Sequence, residues 1–306
     1  MGTLITVLLA VTPPVLFLVW ILRYDRNEPE PLGMVLRILL LGSVSVFPVA
    51  LLEAAYLSHP VFSIPGLAGS ALQSFLVISP AEETAKLLIV LLFVWRSRHF
   101  TEPNDGIVYA GTASIGFALS ENLFYVLQHG AGVGIARALT SIPGHTFTGV
   151  IMGWYLGQAR FDGSGEKRAI GIVKGFLAAW FLHGLYDTFV LSGTSAALLV
   201  IPLVVLNFIV GIKLLRKGRA LSEGRSVTGS PARVMPARGG CLKVLGRALL
   251  TLSALFWLLI VLGLLFGGTE DYDTASVLYG SVVITFLPVA AGVIIEASLR
   301  GRRRIS

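Results

Sequence analysis

Apolar runs of at least about 20 residues, the length needed to cross a bilayer, recur nine times along the chain. They cover about 3–22, 33–57, 71–95, 105–127, 135–158, 170–192, 194–215, 244–267 and 276–297. Polar residues fall mainly between them. The pattern predicts an all-α polytopic membrane protein, a bundle of about nine transmembrane helices. The stretch 216–240 is rich in Gly, Ser, Pro and Arg and has no periodicity, which reads as a flexible linker. It divides a seven-helix body at 1–215, followed by a basic cytoplasmic linker at 216–243, from a two-helix C-terminal hairpin with a basic tail at 244–306. No internal sequence repeat is visible, which argues against an inverted-repeat transporter.

Composition agrees with the pattern. Of 306 residues, 55% are hydrophobic and 13% charged, and the mean hydropathy is +0.80. A soluble domain carries about 25% charged residues, so a soluble enzyme is excluded. The net charge of +7 is explained by topology. Arg23 and Arg26 follow the first run, Arg96 and Arg98 the third, and Arg160, Lys167 and Arg168 the fifth. Further basic residues fill 213–247 and the C-terminus. The alternate connections 58–70, 128–134, 192–195 and 268–275 hold no Lys or Arg; of 24 basic residues only Lys86 and Arg137 lie off the basic side. This predicts an external N-terminus and a cytoplasmic C-terminus, with a lipid bilayer and no nucleic acid as partner. The first 22 residues lack a basic n-region and an A-x-A site, so they read as a retained span. MGTLIT matches a myristoylation pattern, but an external N-terminus makes that a chance match. The single cysteine, Cys241, excludes a disulfide framework and a cysteine metal site.

Once the edges are accounted for, a few ionisable residues remain deep in the bilayer. Glu53 and Glu296 sit near span ends, where side chains snorkel or meet water. Glu82, Glu83, Lys86, Glu121, His145, His183 and Asp187 do not. Counted at 1.5 Å per residue from the basic side, Glu83, Glu121, His145, His183 and Asp187 lie roughly 18–26 Å in, a depth compatible with one layer. A charge there costs about 2.5–3.5 kcal/mol on insertion scales, so several in one chain need a shared reason. His183 and Asp187 are i and i+4 and share a helix face; the pair suits joint metal binding or an imidazole oriented by a carboxylate. In PAEETAK, Lys86 lies within reach of Glu82 and Glu83, so one glutamate can pair while the other stays free as a base. Pro80 opens the helix just before them. Asn122 and Tyr125 add polar groups beside Glu121, and Gly149, Gly153 and Gly157 form a small-residue ridge beyond His145. His59, His99 and His129 fall in connections and need no function.

These groups suit water activation by a glutamate, with imidazole or a metal stabilising the oxyanion. There is no GxSxG, no P-loop and no HExxH. The residues alone leave a hydrolase inside the membrane or an ion or proton pathway, and beside them a proton- or cation-coupled transporter or an inactive scaffold.

Five motifs in order resemble the PrsW-type intramembrane proteases, distant relatives of the CAAX prenyl proteases. They are YDRNEPEP after the first span, then EETAK, FALSEN, PGHTFTGVIMGWYLG and HGLYD, covering about residues 14–215. The resemblance implies a multi-pass protein of a prokaryotic plasma membrane. It implies an endopeptidase acting on membrane-anchored proteins, an anti-sigma factor being the prototype's substrate. Carried over, Glu82, Glu83, Glu121, His145, His183 and Asp187 would form the active site. A metal version assigns zinc to His145, His183 and Asp187, with Glu121 a candidate fourth ligand and Glu83 or Glu82 as base. A metal-free version has one glutamate activate water, with His183 and its neighbours stabilising the oxyanion.

Overall fold

The computed structural model describes residues 3–25 and 28–228. The eighth and ninth expected spans, most of the linker, Cys241 and Glu296 lie outside the described residues. Within them every regular element is helical: α1 Thr3–Tyr24, α2 Leu32–Leu57, α3 Gly66–Gln73, α4 Ser79–Ile89, α5 Pro103–His129, α6 Ala131–Leu139, α7 Ser141–Phe161, α8 Gly165–Leu191 and α9 Val200–Thr228. Among the described residues, four helical stretches are long and apolar enough to cross a membrane: Val7–Tyr24, Leu32–Leu57, Gly165–Leu191 and Ser195–Leu221. The first expected span ends within two residues of α1, and the second begins one residue inside α2. α9 continues to Thr228, so the first part of the expected linker is helical.

The remaining expected spans differ from plain apolar helices for physical reasons. α5 is the axis of the bundle and packs against α1, α2, α7 and α9. Every residue from Pro103 to Ala118 is buried, so α5 is sheathed by protein and need not be lipophilic. The lipid-facing surface is supplied by exposed side chains on the outer helices, such as Leu16, Leu40, Leu51 and Ile201. The expected span at 135–158 is two helices, α6 and α7, broken at Thr140, whose backbone leaves helical geometry. α6 folds back against α1 and α5 and carries Arg137 inward.

The α5–α7 contact depends on the glycine ridge. A methyl group added at Gly157 would fall inside the Pro103 carbonyl, and one at Gly153 would collide with the Gly106 carbonyl. The two backbones therefore touch directly, which fixes the height of α7, and with it His145, against α5.

The third expected span is α3 and α4 joined and followed by π-helical turns, Ser74–Ile78 and Val90–Val94. Such turns concentrate at functional sites. In the first, the Ser79 N–H donates to the Ser74 carbonyl. Pro80 has no N–H to extend the pattern to Phe75. The Trp180 indole instead donates to the Phe75 carbonyl at 3.0 Å, and the Ser79 hydroxyl donates to the Trp180 carbonyl at 2.6 Å. The proline thus opens a backbone acceptor that ties α4 to α8, one turn before His183. Gly184 keeps the way clear, because a side chain there would strike the Phe75 ring.

Candidate active site

Glu82, Glu83 and Lys86 project from one side of α4 into the bundle. Lys86 Nζ donates to Glu82 Oε2 at 3.1 Å and to Glu83 Oε1 at 2.8 Å, using the i,i+4 and i,i+3 spacings together. The expectation that one glutamate stays clear of Lys86 is therefore not met. The ammonium also lies 3.0 Å from His145 Nδ1 and over the Phe117 ring. Glu83 and Lys86 are 0% and 1% exposed.

The two histidines arrive from α7 and α8 and meet edge to face, with ring centroids 4.8 Å apart. An ammonium only donates, so His145 Nδ1 accepts from Lys86. Its Nε2 then carries the proton and donates to Glu121 Oε2 at 2.8 Å. Glu121 is itself held by Arg137, Nη2 to Oε2 at 2.8 Å. His183 is flanked by carboxylates on both nitrogens: Glu83 Oε1 lies 2.8 Å from Nδ1 and Asp187 Oδ2 lies 3.2 Å from Nε2. All seven residues singled out from depth alone thus form one connected network across α4, α5, α7 and α8.

Sequence reasoning passed over three further residues, one that joins the network and two that border it. Arg137, set aside as an off-side charge, closes the Glu121 end, donating also to Asn122 Oδ1 at 3.2 Å and stacking on the Tyr125 ring. Glu53, expected to snorkel at a span end, is instead turned into the bundle. Its Oε1 is buried without a hydrogen-bond partner, and its electrostatic neighbours are Glu82, Glu121, Asp187 and His183. Asn207 of α9 is 1% exposed with an unpartnered Oδ1. With Ser141, Gly144, His145, Thr148, Leu182, His183 and Tyr186 it lines a small cavity with room for about one water molecule. A lone asparagine in an otherwise apolar helix was the available signal.

A metal-type donor set is present that shares both histidines with the set the resemblance implied and adds Glu82. Glu82, His145 and His183 each offer a donor atom within 4.8 Å of the others. Asp187 Oδ2 lies 3.2 Å from the same His183 Nε2 that faces Glu82 Oε2 at 3.8 Å. Two imidazoles and one carboxylate match hydrolytic zinc sites. Each imidazole also turns its other nitrogen to a carboxylate, His145 to Glu121 and His183 to Glu83, the usual outer support of metal-bound histidine. The donor set therefore fits a metal, with Lys86 as the competitor for Glu82 and His145.

A buried glutamate–histidine network in a bundle of apolar helices is the setting of an intramembrane protease, and the comparisons agree on that class. A family model described as "PrsW family intramembrane metalloprotease" matches residues 30–212, well over half of the chain. The chain belongs to the PrsW family. Among its relatives, Protease PrsW of Geobacillus kaustophilus (strain HTA426) is 38% identical over 182 residues, covering 60% of this chain and 78% of the relative. Protease PrsW of Bacillus subtilis (strain 168) is 32% identical over 212 residues, covering 69% and 94%. That of Clostridioides difficile (strain 630) is 34% identical over 184 residues, covering 59% and 76%. No solved structure matches the chain.

Proposed function

We propose that the protein hydrolyses peptide bonds in or near the membrane segments of membrane-anchored proteins, with anti-sigma-factor-like proteins as the substrate class, and that Glu82, Glu83, Glu121, His145, His183 and Asp187 carry the reaction. The observation that carries this reading is the buried Glu83–His183 contact at 2.8 Å, next to a water-sized cavity lined by both histidines. The matching body is read as a seven-span unit at 1–215 in a prokaryotic plasma membrane, N-terminus outside, with the linker and C-terminal hairpin appended.

Glu83 is the general base. Its Oε1 is held by Lys86 and His183, while its Oε2 is buried with no partner. That oxygen takes a proton from the attacking water and returns it to the leaving amine. Lys86 holds the glutamate pair in place. Glu83 orients His183 through Nδ1, and Arg137 and Glu121 orient His145 through Nε2, so both rings are set before substrate arrives. Developing charge on the carbonyl oxygen is met by donors already in place.

Glu82, His145 and His183 would hold the metal that the family description implies, zinc being the fitting ion. When bound, it would polarise the scissile carbonyl and acidify the water. The metal-free variant of the same site rests on a specific contact: Lys86 already supplies a cation to Glu82 and Glu83 and a proton to His145 Nδ1.

The test is purified protein in lipid vesicles with a single-pass membrane-anchored reporter. Wild type should cut the reporter into two fragments and Glu83→Gln should leave it whole. An intact reporter accompanied by substrate-dependent proton flux would replace hydrolysis by transport.

A further inference from the structure

α9 carries a polar side chain where its pattern calls for an apolar one. Leu203, Asn207, Gly211 and Leu215 recur at every fourth residue and share one buried face. The first and last of them pack into apolar clusters. Asn207 is 1% exposed, and its Oδ1 has no hydrogen-bond partner. Gly211, one turn on, holds the helix in close, because a methyl group there would strike the Phe147 ring of α7. Asn207 is thereby set against α7 at the level of His145 and Thr148, where it lines the water-sized cavity together with His183 of α8.

An unmatched amide oxygen inside a membrane bundle is unfavourable unless something donates to it. The cavity has room for about one water, and a water there meets more than one polar group. Thr148 spends its hydroxyl proton on the His145 carbonyl at 3.1 Å, which leaves its oxygen able to accept. Ser141 and Tyr186 bring further hydroxyl-bearing side chains to the same wall. Glu82, Glu83, Lys86, Glu121 and Asp187 do not line it, so the two imidazoles stand between this cavity and the carboxylates. The reaction has a use for a water held there. Each peptide bond cut consumes one water, its oxygen and one hydrogen passing to the new carboxyl group and its other hydrogen to the amine. The hydrocarbon around the bundle supplies none.

We propose that Asn207 seats one water molecule in this cavity, between its amide oxygen and the hydroxyls of α7, and that this water is the reserve from which hydrolysis is supplied. The inference rests on the hydrolytic reading of the neighbouring site. Asn207 is then a positioning residue that acts through the water, and α9 takes part in the reaction without touching the substrate.

The experiment pairs a structure of the full chain in lipid nanodiscs, at a resolution that shows ordered water, with cleavage of the membrane-anchored reporter at water activities graded by an excluded osmolyte. Wild type should show one water within about 2.5–3.0 Å of Asn207 Oδ1. Asn207→Leu, close in size and apolar, should lose that water and unfold at the same or a higher temperature, because the unmatched group is gone. Its kcat should nevertheless fall about 2–10-fold, the worth of one hydrogen bond, with KM unchanged and a steeper dependence on water activity. Asn207→Ser should restore part of both. Wild type that cuts the reporter with no water at Asn207 would overturn this inference and leave the hydrolytic reading intact. Water at Asn207 with equal rates and equal water-activity profiles in wild type and Asn207→Leu would overturn the supply role. Wild type that holds the water and cuts nothing would overturn the hydrolytic reading, and with it the use made of the water.

Discussion

Glu83 Oε1 sits 2.8 Å from His183 Nδ1, although the two residues are 100 positions apart in the chain. Neither alone is unusual in a membrane helix. Their contact depends on Pro80, whose missing N–H lets Trp180 tie α4 to α8. Glu83→Gln keeps the shape but removes the base, so cleavage should fall by about 10²–10⁴-fold. Gel filtration and fragment yield on the same sample check this; a glutamine variant that is intact and fully active would remove Glu83 from the reaction.

Lys86 holds two buried carboxylates, so its loss should be felt in stability. Lys86→Met should destabilise the metal-free protein by about 3–5 kcal/mol, the usual result of stranding a buried charge. With the ammonium gone, Glu82 and His145 are released to a metal. Thermal unfolding in chelator and in zinc should show a larger gain from zinc for the variant than for wild type. Equal gains would mean that Lys86 and the metal do not compete.

Arg137 acts through Glu121 and His145, and touches neither Glu82 nor Glu83. Arg137→Met should cut turnover about 10–100-fold, the range seen when the outer support of a histidine is removed. Arg137→Lys, which keeps the charge, should recover part of it. A merely structural role would lower the unfolding temperature of both variants and leave the turnover of the folded fraction unchanged.

The glycine ridge makes a prediction away from the chemistry. Gly157→Val forces α7 off the Pro103 carbonyl and should cost at least about 1–3 kcal/mol by overpacking. Gly163 has open space around its Cβ position, and Gly163→Ala should leave unfolding unchanged. Thermal unfolding in detergent compares them directly.

Much of the site could be read from the sequence because a bilayer makes buried charge rare. Glu82, Glu83, Lys86, Glu121, His145, His183 and Asp187 stood out by depth, and the structure links all of them. What depth cannot give is partnership between helices. That Lys86 bridges both glutamates, and that Glu82 faces both histidines, depends on how α4, α7 and α8 face one another. Arg137 was missed because a continuous apolar run hid the break at Thr140 that turns α6 inward. Glu53 was missed because its distance from a helix end says nothing about which side of the helix meets protein. α5 was read as one more apolar span and not as the buried axis, since sequence says nothing of which neighbouring helices sheathe it.

The central claim, that the buried glutamate–histidine network hydrolyses a peptide bond, is tested most directly with isotopic water. A membrane-anchored substrate is incubated with purified protein in H2 18O and its fragments are read by mass spectrometry. The account predicts one 18O atom in the new C-terminal carboxylate, at a bond in or near the membrane segment, and no such fragment from Glu83→Gln or His183→Ala. Equal labelled cleavage by wild type and both variants would contradict it.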